Sequence, residues 1–278
     1  MSCAVLGYTR QQYYKQRKEL STREQFQEQI RLLVCRERKL LPKVGTRKLH
    51  ILLQSAFDER RIKCGRDQLF SVLRYYGLLN RPRKRYIQTT MSRHWMRKYP
   101  NLVRDCTPTA PEQVWVSDIT YIKTDEGYSY LSLITDAYSR KIMGYNLSAS
   151  LDAEQTRNAL SMALAQRTYP HHTIIHHSDR GHQYCSKEYV ALATEHDIRM
   201  SMTEHSDPYE NALAERMNRT LKEEFLPNAP LPSRHYAQML IRQAVELYNT
   251  YRPHLALNGR TPDQIHNKTP VTNGNRGF

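Results

Sequence analysis

Residues 113–124 have the sequence QVWVSDITYIKT, in which a charged aspartate stands inside a run of valine, tryptophan and isoleucine. Two more runs rich in β-branched and aromatic residues follow at 128–137, YSYLSLITDA, and at 140–149, RKIMGYNLSA. Only short turns separate the three runs. The pattern therefore predicts three consecutive strands that pair as an antiparallel meander.

Downstream of the meander, segments with helical periodicity alternate with short apolar runs. We predict helices and strands in turn at 153–167, 173–178, 187–196 and 198–202, and two more helices at about 208–225 and 233–250. Three strands followed by alternating helices and strands predict an α/β fold, with a mixed sheet and flanking helices.

The N-terminal part of the chain has helical periodicity. We expect a first helix that begins at Ser21 or Thr22 and ends at Pro42, a second that starts after Gly45 and Thr46, and a third that stops at Gly77. Basic residues lie between the apolar stripes. The pattern favours an all-α, helix-turn-helix-like DNA-binding region over residues 1–80, and a plain helical bundle is the alternative.

Charge divides the chain in the same way. Residues 1–111 contain 25 basic and 8 acidic side chains, a net +17, whereas residues 112–278 contain 17 basic and 19 acidic, a net −2. A strongly cationic segment attracts a polyanion, because neutralised phosphates release counterions. The alternative is a basic face that only keeps the protein soluble. Residues 81–112 are basic and contain prolines, which predicts a linker before a second domain at 113–278.

Composition excludes several classes of protein. No apolar run approaches the ~20 residues needed to span a bilayer, and the first residues lack the apolar core of a signal peptide. The five cysteines are scattered and contain no CxxC pair, which argues against a disulfide framework and a cysteine-rich zinc site. These features predict a protein of the reducing cytoplasm without membrane partners.

Three acidic residues occupy positions where a carboxylate can bind a cation or reach a ligand. Asp118 lies within a strand, where a charge is costly unless it is paired or bound to a cation. Asp179 follows an apolar strand, at the end that faces a crevice. Glu215 lies on a helix, about 200° from the core stripe that contains Leu213, and Lys222 lies on nearly the same face as Glu215.

Each acid also has an ordinary interpretation. A strand aspartate is often hydrogen-bonded, and a helix glutamate is often solvated. We interpret Asp136 as a turn cap before Ser139 rather than as a metal ligand. The histidines of HHTIIHHSDRGH include adjacent pairs, whose side chains point to opposite faces of a strand and form no compact zinc site.

The order and spacing of the three acids resemble a known motif. Sixty residues separate Asp118 from Asp179, and 35 separate Asp179 from Glu215. This set resembles the DDE motif of the retroviral-integrase superfamily, whose core is an RNase H-like five-stranded sheet. The blocks WVSDITYI, HSDRGHQY, ENALAERMNRTLKEEF and YNTYRPHLALNGRTP resemble, in that order, those of OrfB-type transposases from bacterial insertion sequences of family three.

The resemblance implies a function. It implies metal-dependent cleavage and strand transfer of DNA at the ends of a mobile element, with Asp118, Asp179 and Glu215 as catalytic residues and metal ligands. Two Mg²⁺ ions are the expected cofactors, because hard cations prefer oxygen ligands. Mn²⁺ is the expected substitute for Mg²⁺. The alternative is an inactive, transposase-derived regulator that only binds DNA.

The expected partners are double-stranded DNA at the element ends and target, further copies of the chain on DNA, and an upstream OrfA-type helix-turn-helix protein. The expected location is the bacterial cytoplasm, at the nucleoid. Seven residues are expected to contact DNA: Lys222, Arg219, Asn211, Arg252, Arg47, Lys48 and Arg66.

Overall fold

The computed structural model of the chain describes residues 9–80, 97–204 and 208–268. The chain divides into two compact units, residues 1–83 and 84–278. Within the described ranges, every helix is too short or too polar to span a membrane.

The described residues of the first unit, 9–80, form three helices: α1 (Arg10–Leu40), α2 (Thr46–Glu59) and α3 (Arg66–Tyr75). Apolar residues at helical spacing form its core, with Ile30 and Val34 from α1, Leu49 from α2 and Leu69 from α3 fully buried. The three predicted helices are thus present, and the helix-turn-helix role of this unit stays a prediction.

The start of α1 differs from the sequence-based expectation. The helix begins at Arg10 because Thr9 forms a capping box with Gln12, in which each side chain bonds the other residue's backbone N–H. Thr22, expected near the N-terminus, lies inside the helix instead. Its hydroxyl donates to the carbonyl oxygen of Lys18 at 2.9 Å, and this local bond lets the helix continue through a residue that often caps helices.

The second unit is built on a five-stranded sheet. Its strands are β1 (Val114–Thr124), β2 (Gly127–Asp136), β3 (Ile142–Ser148), β4 (Ile175–Ser178) and β5 (Arg199–Met202). The spatial order is β3-β2-β1-β4-β5. The first three strands pair in antiparallel fashion, and β4 and β5 run parallel to β1. The predicted meander and mixed sheet are confirmed.

Helices cover both faces of this sheet. They are α4 (Ala153–Ala165), α5 (Lys187–Glu195), α6 (Ala212–Thr220), α7 (Arg234–Thr250) and α8 (Pro262–His266). Trp115 of β1 packs in a core with residues of α4 and α5. Val114 and Val116 pack instead against Ala214 of α6. The alternation of β1 therefore places α6 on the opposite face of the sheet from α4 and α5.

Two predicted boundaries were wrong. The single helix expected over 208–225 is a 3-10 turn at Pro208–Asn211, then α6, then a π-helical turn at Leu221–Phe225. The third strand was expected to start at Arg140 but starts at Ile142, because Arg140 has a positive φ of 67° and ends the preceding turn.

The predicted linker, 81–112, lies partly outside the described residues. Its later part packs on the sheet of the second unit. The backbone N–H of Leu102 donates to Ser201 Oγ at 2.9 Å, and that of Asn101 to Glu204 at 3.1 Å. Glu112 is fully buried. Residues 97–112 therefore belong to the second unit rather than to a free connection.

Candidate active site

Asp118 lies in the middle of β1 and is 4% exposed. It has the strand parity of Val116, so it faces α6. One carboxylate oxygen accepts the backbone N–H of Ile119 at 2.9 Å, and the other accepts Asn218 Nδ2 of α6 at 2.9 Å. Helix α6 is therefore joined to the central strand at the carboxylate itself.

Asp179 follows β4 directly. Because Ser117 and Ser178 are register partners in the parallel β1–β4 pair, Asp179 emerges beside Asp118. The backbone N–H of Gly181 donates to Asp179 Oδ1 at 3.0 Å. A Cβ at Gly181 would lie 3.0 Å from that oxygen and 2.8 Å from Gln183 Oε1. A side chain at this position would therefore crowd the carboxylate of Asp179, which would have to shift by a few tenths of an ångström.

Glu215 lies in the first turn of α6. Ala214, Met217 and Asn218 are buried on this helix, whereas Glu215 is only partly buried. Its neighbour one turn on, Asn218, bonds Asp118, so Glu215 is carried to the same region of the sheet. The structure thus brings the three predicted acids together from a strand, a strand end and a helix.

Electrostatics show that the three carboxylates interact. Burial raises the pKa of Asp118 to about 7, the charge of Asp179 adds to the rise, and Glu215 contributes less. Burial also raises the pKa of Glu215, with Asp179 contributing and Arg219 opposing. The pKa of the buried Tyr184 hydroxyl is raised by burial and by the charges of Asp179 and Asp118. The site concentrates negative charge that a cation would relieve.

The donor chemistry fits a hard cation. All three side chains offer carboxylate oxygens, which Mg²⁺ and Mn²⁺ prefer. Within the described ranges, however, no group of three or more His, Cys, Asp and Glu side chains is compact enough to enclose a metal ion. The three acids fit the metal by their chemistry and shared charge, without forming a closed cage.

Lys222 and Arg219 lie beside this site. Lys222 Nζ donates to Thr120 Oγ1 at 3.2 Å and to the carbonyl oxygen of Tyr121 at 3.0 Å, and it lies 4.8 Å from the Tyr121 ring centre. Thr120 and Asp118 share one face of β1, so the contact with Thr120 places Lys222 near the acids. This agrees with the position expected for Lys222. Arg219 is exposed.

Two predicted DNA contacts need correction. Arg252 is 4% exposed and makes a two-bond ion pair with Glu224, both bonds at 2.7 Å, so its guanidinium is committed inside the protein. Asn211 is 7% exposed, and its amide donates to the carbonyl oxygen of Ser117 at 3.0 Å. Both residues therefore have a structural role. Asn211 attaches the start of α6 to β1, and Arg252 attaches the segment after α7 to the π-helical turn.

The predicted contacts of the first unit lie at helix starts. Arg47 is exposed on the first turn of α2, and Lys48 beside it is partly buried. Arg66, the first residue of α3, is exposed and bonds its neighbour Asp67 at 2.9 Å. Their role in DNA binding stays a prediction.

The remaining candidates form internal networks. Asp136 accepts the backbone N–H and hydroxyl of Ser139, both at 2.7 Å, which confirms its turn-capping role. It also accepts the backbone N–H of Glu112, a contact that the sequence did not indicate. His176 bonds Ser117 Oγ at 2.7 Å, and His177 bonds Ser201 Oγ at 2.9 Å.

Sequence reasoning missed Asn218. Its amide is the only side-chain donor to Asp118 among the described residues, and it is 4% exposed. The available signal was its position one turn after Glu215 on the same helix, which places the two side chains next to each other.

Comparisons with known proteins agree with this architecture. Two family models, each described as an integrase core domain, match residues 108–208 and 196–262. In solved structures, an intasome chain of simian T-cell lymphotropic virus matches with a TM-score of 0.51 and 18% identity, over 82% of this chain and 76% of that one. This likeness supports the RNase H-like fold predicted from the sequence.

Curated relatives match along nearly the whole chain. The insertion element IS600 31 kDa protein of Shigella sonnei is 35% identical over 96% of this chain and 97% of its own length. The transposase InsF for insertion sequence IS3A of Escherichia coli strain K12 is 31% identical over 96% of this chain and 93% of its own length. The chain therefore belongs to the IS3 family of insertion-sequence transposases of the InsF/OrfB type, with an integrase core domain.

Proposed function

We propose that the chain is an active DDE transposase, which cleaves DNA strands at the ends of a mobile element and joins them to a target. The observation that carries the proposal is the convergence of Asp118, Asp179 and Glu215, whose charges act on one another across three separate elements. Membership of a transposase family supports the same reaction.

In this proposal Asp118, Asp179 and Glu215 would together hold two Mg²⁺ ions. When bound, the ions supply activation of the attacking oxygen and neutralisation of charge on the phosphate. The attacking group is water for strand cleavage and a DNA 3′-hydroxyl for strand transfer. Mn²⁺ offers similar oxygen-ligand chemistry and should replace Mg²⁺.

Residues of the chain orient these groups. Asn218 fixes one oxygen of Asp118, and the backbone N–H of Gly181 fixes one oxygen of Asp179. Lys222, held against β1, places a positive charge beside the acids, where it acts as a point charge on a DNA phosphate. Arg219, on α6, offers a second, exposed charge.

Residues 1–83 contain 19 basic and 7 acidic side chains, a net +12, which supports a division of labour in which the first unit supplies most of the affinity for DNA. Arg47, Lys48 and Arg66 are its proposed contacts. We infer that several copies assemble on the element ends, with an upstream OrfA-type protein as a further partner, at the nucleoid of a bacterial cytoplasm.

The test is a cleavage and joining assay in Mg²⁺ on a duplex that carries the end of the element. Asp118→Asn, Asp179→Asn and Glu215→Gln keep the side-chain shape but remove the charge, so each should abolish cleavage and joining. Glu195→Gln, at an exposed position of α5, is the matched control. DNA affinity, measured by fluorescence anisotropy, should stay within about twofold of wild type in all four variants.

Two outcomes would contradict the proposal. Near wild-type cleavage by any one of the three variants would remove that residue from the site. Normal DNA binding by the wild-type chain without cleavage or joining would favour the alternative, a DNA-binding regulator.

A further inference from the structure

The turn between β2 and β3 holds Arg140 in an uncommon backbone conformation. Its φ is 67°, in the left-handed region where glycine or asparagine is the usual residue. Two contacts hold it there: its N–H donates to the carbonyl oxygen of Asp136 at 2.9 Å, and its own carbonyl oxygen accepts the hydroxyl of Tyr248 at 3.0 Å. Tyr248 is fully buried, so it holds the backbone of Arg140 rigidly in this conformation. Backbone strain of this kind occurs mainly at functional sites.

The guanidinium of Arg140 has no counter-charge of its own. It is partly buried and lines a cleft of about 320 Å³, beside Val114 and Val116 of β1. Among the described residues, it makes no hydrogen bond or ion pair. The carboxylate of Asp136, which attracts it electrostatically, already accepts three hydrogen bonds from Glu112 and Ser139.

The acid on the cleft wall is engaged elsewhere. One oxygen of Glu210 accepts the backbone N–H of Glu204 at 2.6 Å, and the other lies 3.7 Å from Arg104.

Three neighbouring groups act on Arg140: Tyr248 and Asp136 raise its pKa, and a second arginine, Arg216, lowers it. Burial lowers the pKa of Arg140, and the positive charge of Arg216, exposed on α6, lowers it further. Arg216 does not line the cleft itself but follows Ala212 and Leu213 of its wall by about one turn of α6. Two cations placed so close to one cleft, without a dedicated acid, favour an anionic ligand.

We propose that Arg140 and Arg216 together bind one backbone phosphate of the DNA, at a site separate from the cleavage centre. The inference rests on the proposed function. The cleft is lined by Val114 and Val116, which share the α6-facing side of β1 with Asp118 and precede it by four and two residues. At about 3.3 Å per strand residue, the phosphate lies about 7–13 Å from the acids along the strand. That distance corresponds to about two to four nucleotides at 3.4 Å each.

The experiment measures the salt dependence of DNA affinity by fluorescence anisotropy, on the full-length chain, with a labelled 30-base-pair duplex in EDTA. Arg140→Asn removes the charge and leaves a residue that tolerates the left-handed backbone. Arg216→Gln removes the second charge. Arg157→Gln is the matched control, because Arg157 is exposed on α4, on the opposite face of the sheet. Thermal melting shows that each variant is folded.

Each of Arg140→Asn and Arg216→Gln should reduce the slope of log affinity against log salt by up to about 0.9, the value of one phosphate contact. The double variant should lose no more than that in total, because both arginines hold the same phosphate. Arg157→Gln should keep the wild-type slope.

A slope for folded Arg140→Asn equal to that of Arg157→Gln would overturn the inference. So would a small-anion site, in which inorganic phosphate raises the melting temperature of wild type but not of Arg140→Asn while the DNA slope is unchanged. Because EDTA prevents cleavage, failure here is distinct from failure of the proposed catalysis. Equally, a catalytically inactive chain with the predicted slopes would support the phosphate site alone.

Discussion

Asp118→Asn should make the metal-free protein more stable at pH 8. The pKa of Asp118 is raised from 3.8 to about 7 in the folded chain, so the folded state binds this proton more tightly than the unfolded state. The stability that this group contributes is therefore complete below pH 3.8 and is lost as the pH rises through about 7. A rise of about three pH units corresponds to about 4 kcal/mol, an order-of-magnitude upper value.

The variant cannot ionise, and its single amide oxygen can accept one of the two bonds that the carboxylate accepts from Ile119 and Asn218. In EDTA, its free energy of unfolding should exceed that of wild type by up to about 4 kcal/mol at pH 8 and by almost nothing near pH 4. Urea denaturation followed by the fluorescence of the fully buried Trp115, three residues from Asp118, reports on this unit. Asp105→Asn, at an exposed position, is the control for loss of a charge alone.

The reasoning fails if the difference in stability between Asp118→Asn and wild type is the same at pH 4 and pH 8. Added Mg²⁺ provides a second comparison, because it should stabilise wild type at pH 8 and leave Asp118→Asn nearly unchanged.

Three further changes test particular contacts. Gly181→Ala would force its Cβ to 3.0 Å from the carboxylate of Asp179, so cleavage should fall at least tenfold while DNA affinity is kept, and equal cleavage rates would count against this. Arg252→Met leaves Glu224 without its buried partner and should cost about 3 kcal/mol in urea unfolding without changing the DNA affinity of the folded chain. Lys222→Ala should weaken DNA binding and reduce joining more than twofold while the Mg²⁺ dependence of the residual activity is unchanged, and values within twofold of wild type would remove Lys222 from the site.

The sheet and the three acids could be predicted from the sequence because their signals are local. The strand around Asp118 is rich in β-branched and aromatic residues, and Asp179 directly follows an apolar run. Glu215 lies off the apolar stripe of its helix. Each of these local signals also had an ordinary interpretation, and the order and spacing of the three acids, which resemble the DDE motif, singled them out together.

The contacts of long polar side chains could not be predicted in the same way. Arg252 and Glu224 are 28 residues apart, and only the fold shows that they pair within the protein. Asn218 looks like any polar helix residue until its bond to Asp118, 100 residues away, is known. Polar residues of this kind gain a buried role from tertiary structure, whereas their sequence pattern is that of a solvated face.

Local signals also competed at the start of α1. Thr9 and Thr22 both suit an N-cap, and the sequence does not show which hydroxyl bonds outside the helix and which bonds within it. The capping box with Gln12 decides in favour of Thr9. The left-handed backbone of Arg140 could not be predicted from the sequence either, because the hydroxyl of a distant tyrosine, Tyr248, holds it.

The measurement that tests the central claim most directly is the rate of cleavage of the element-end duplex as Mg²⁺ is titrated from zero, for wild type and Asp118→Asn. If the carboxylates act through bound cations, wild type should be inactive in EDTA and gain activity with Mg²⁺. Asp118→Asn should stay inactive at every Mg²⁺ concentration while it binds the duplex. Cleavage by wild type in EDTA, or by Asp118→Asn in Mg²⁺ at a rate near that of wild type, would contradict the account.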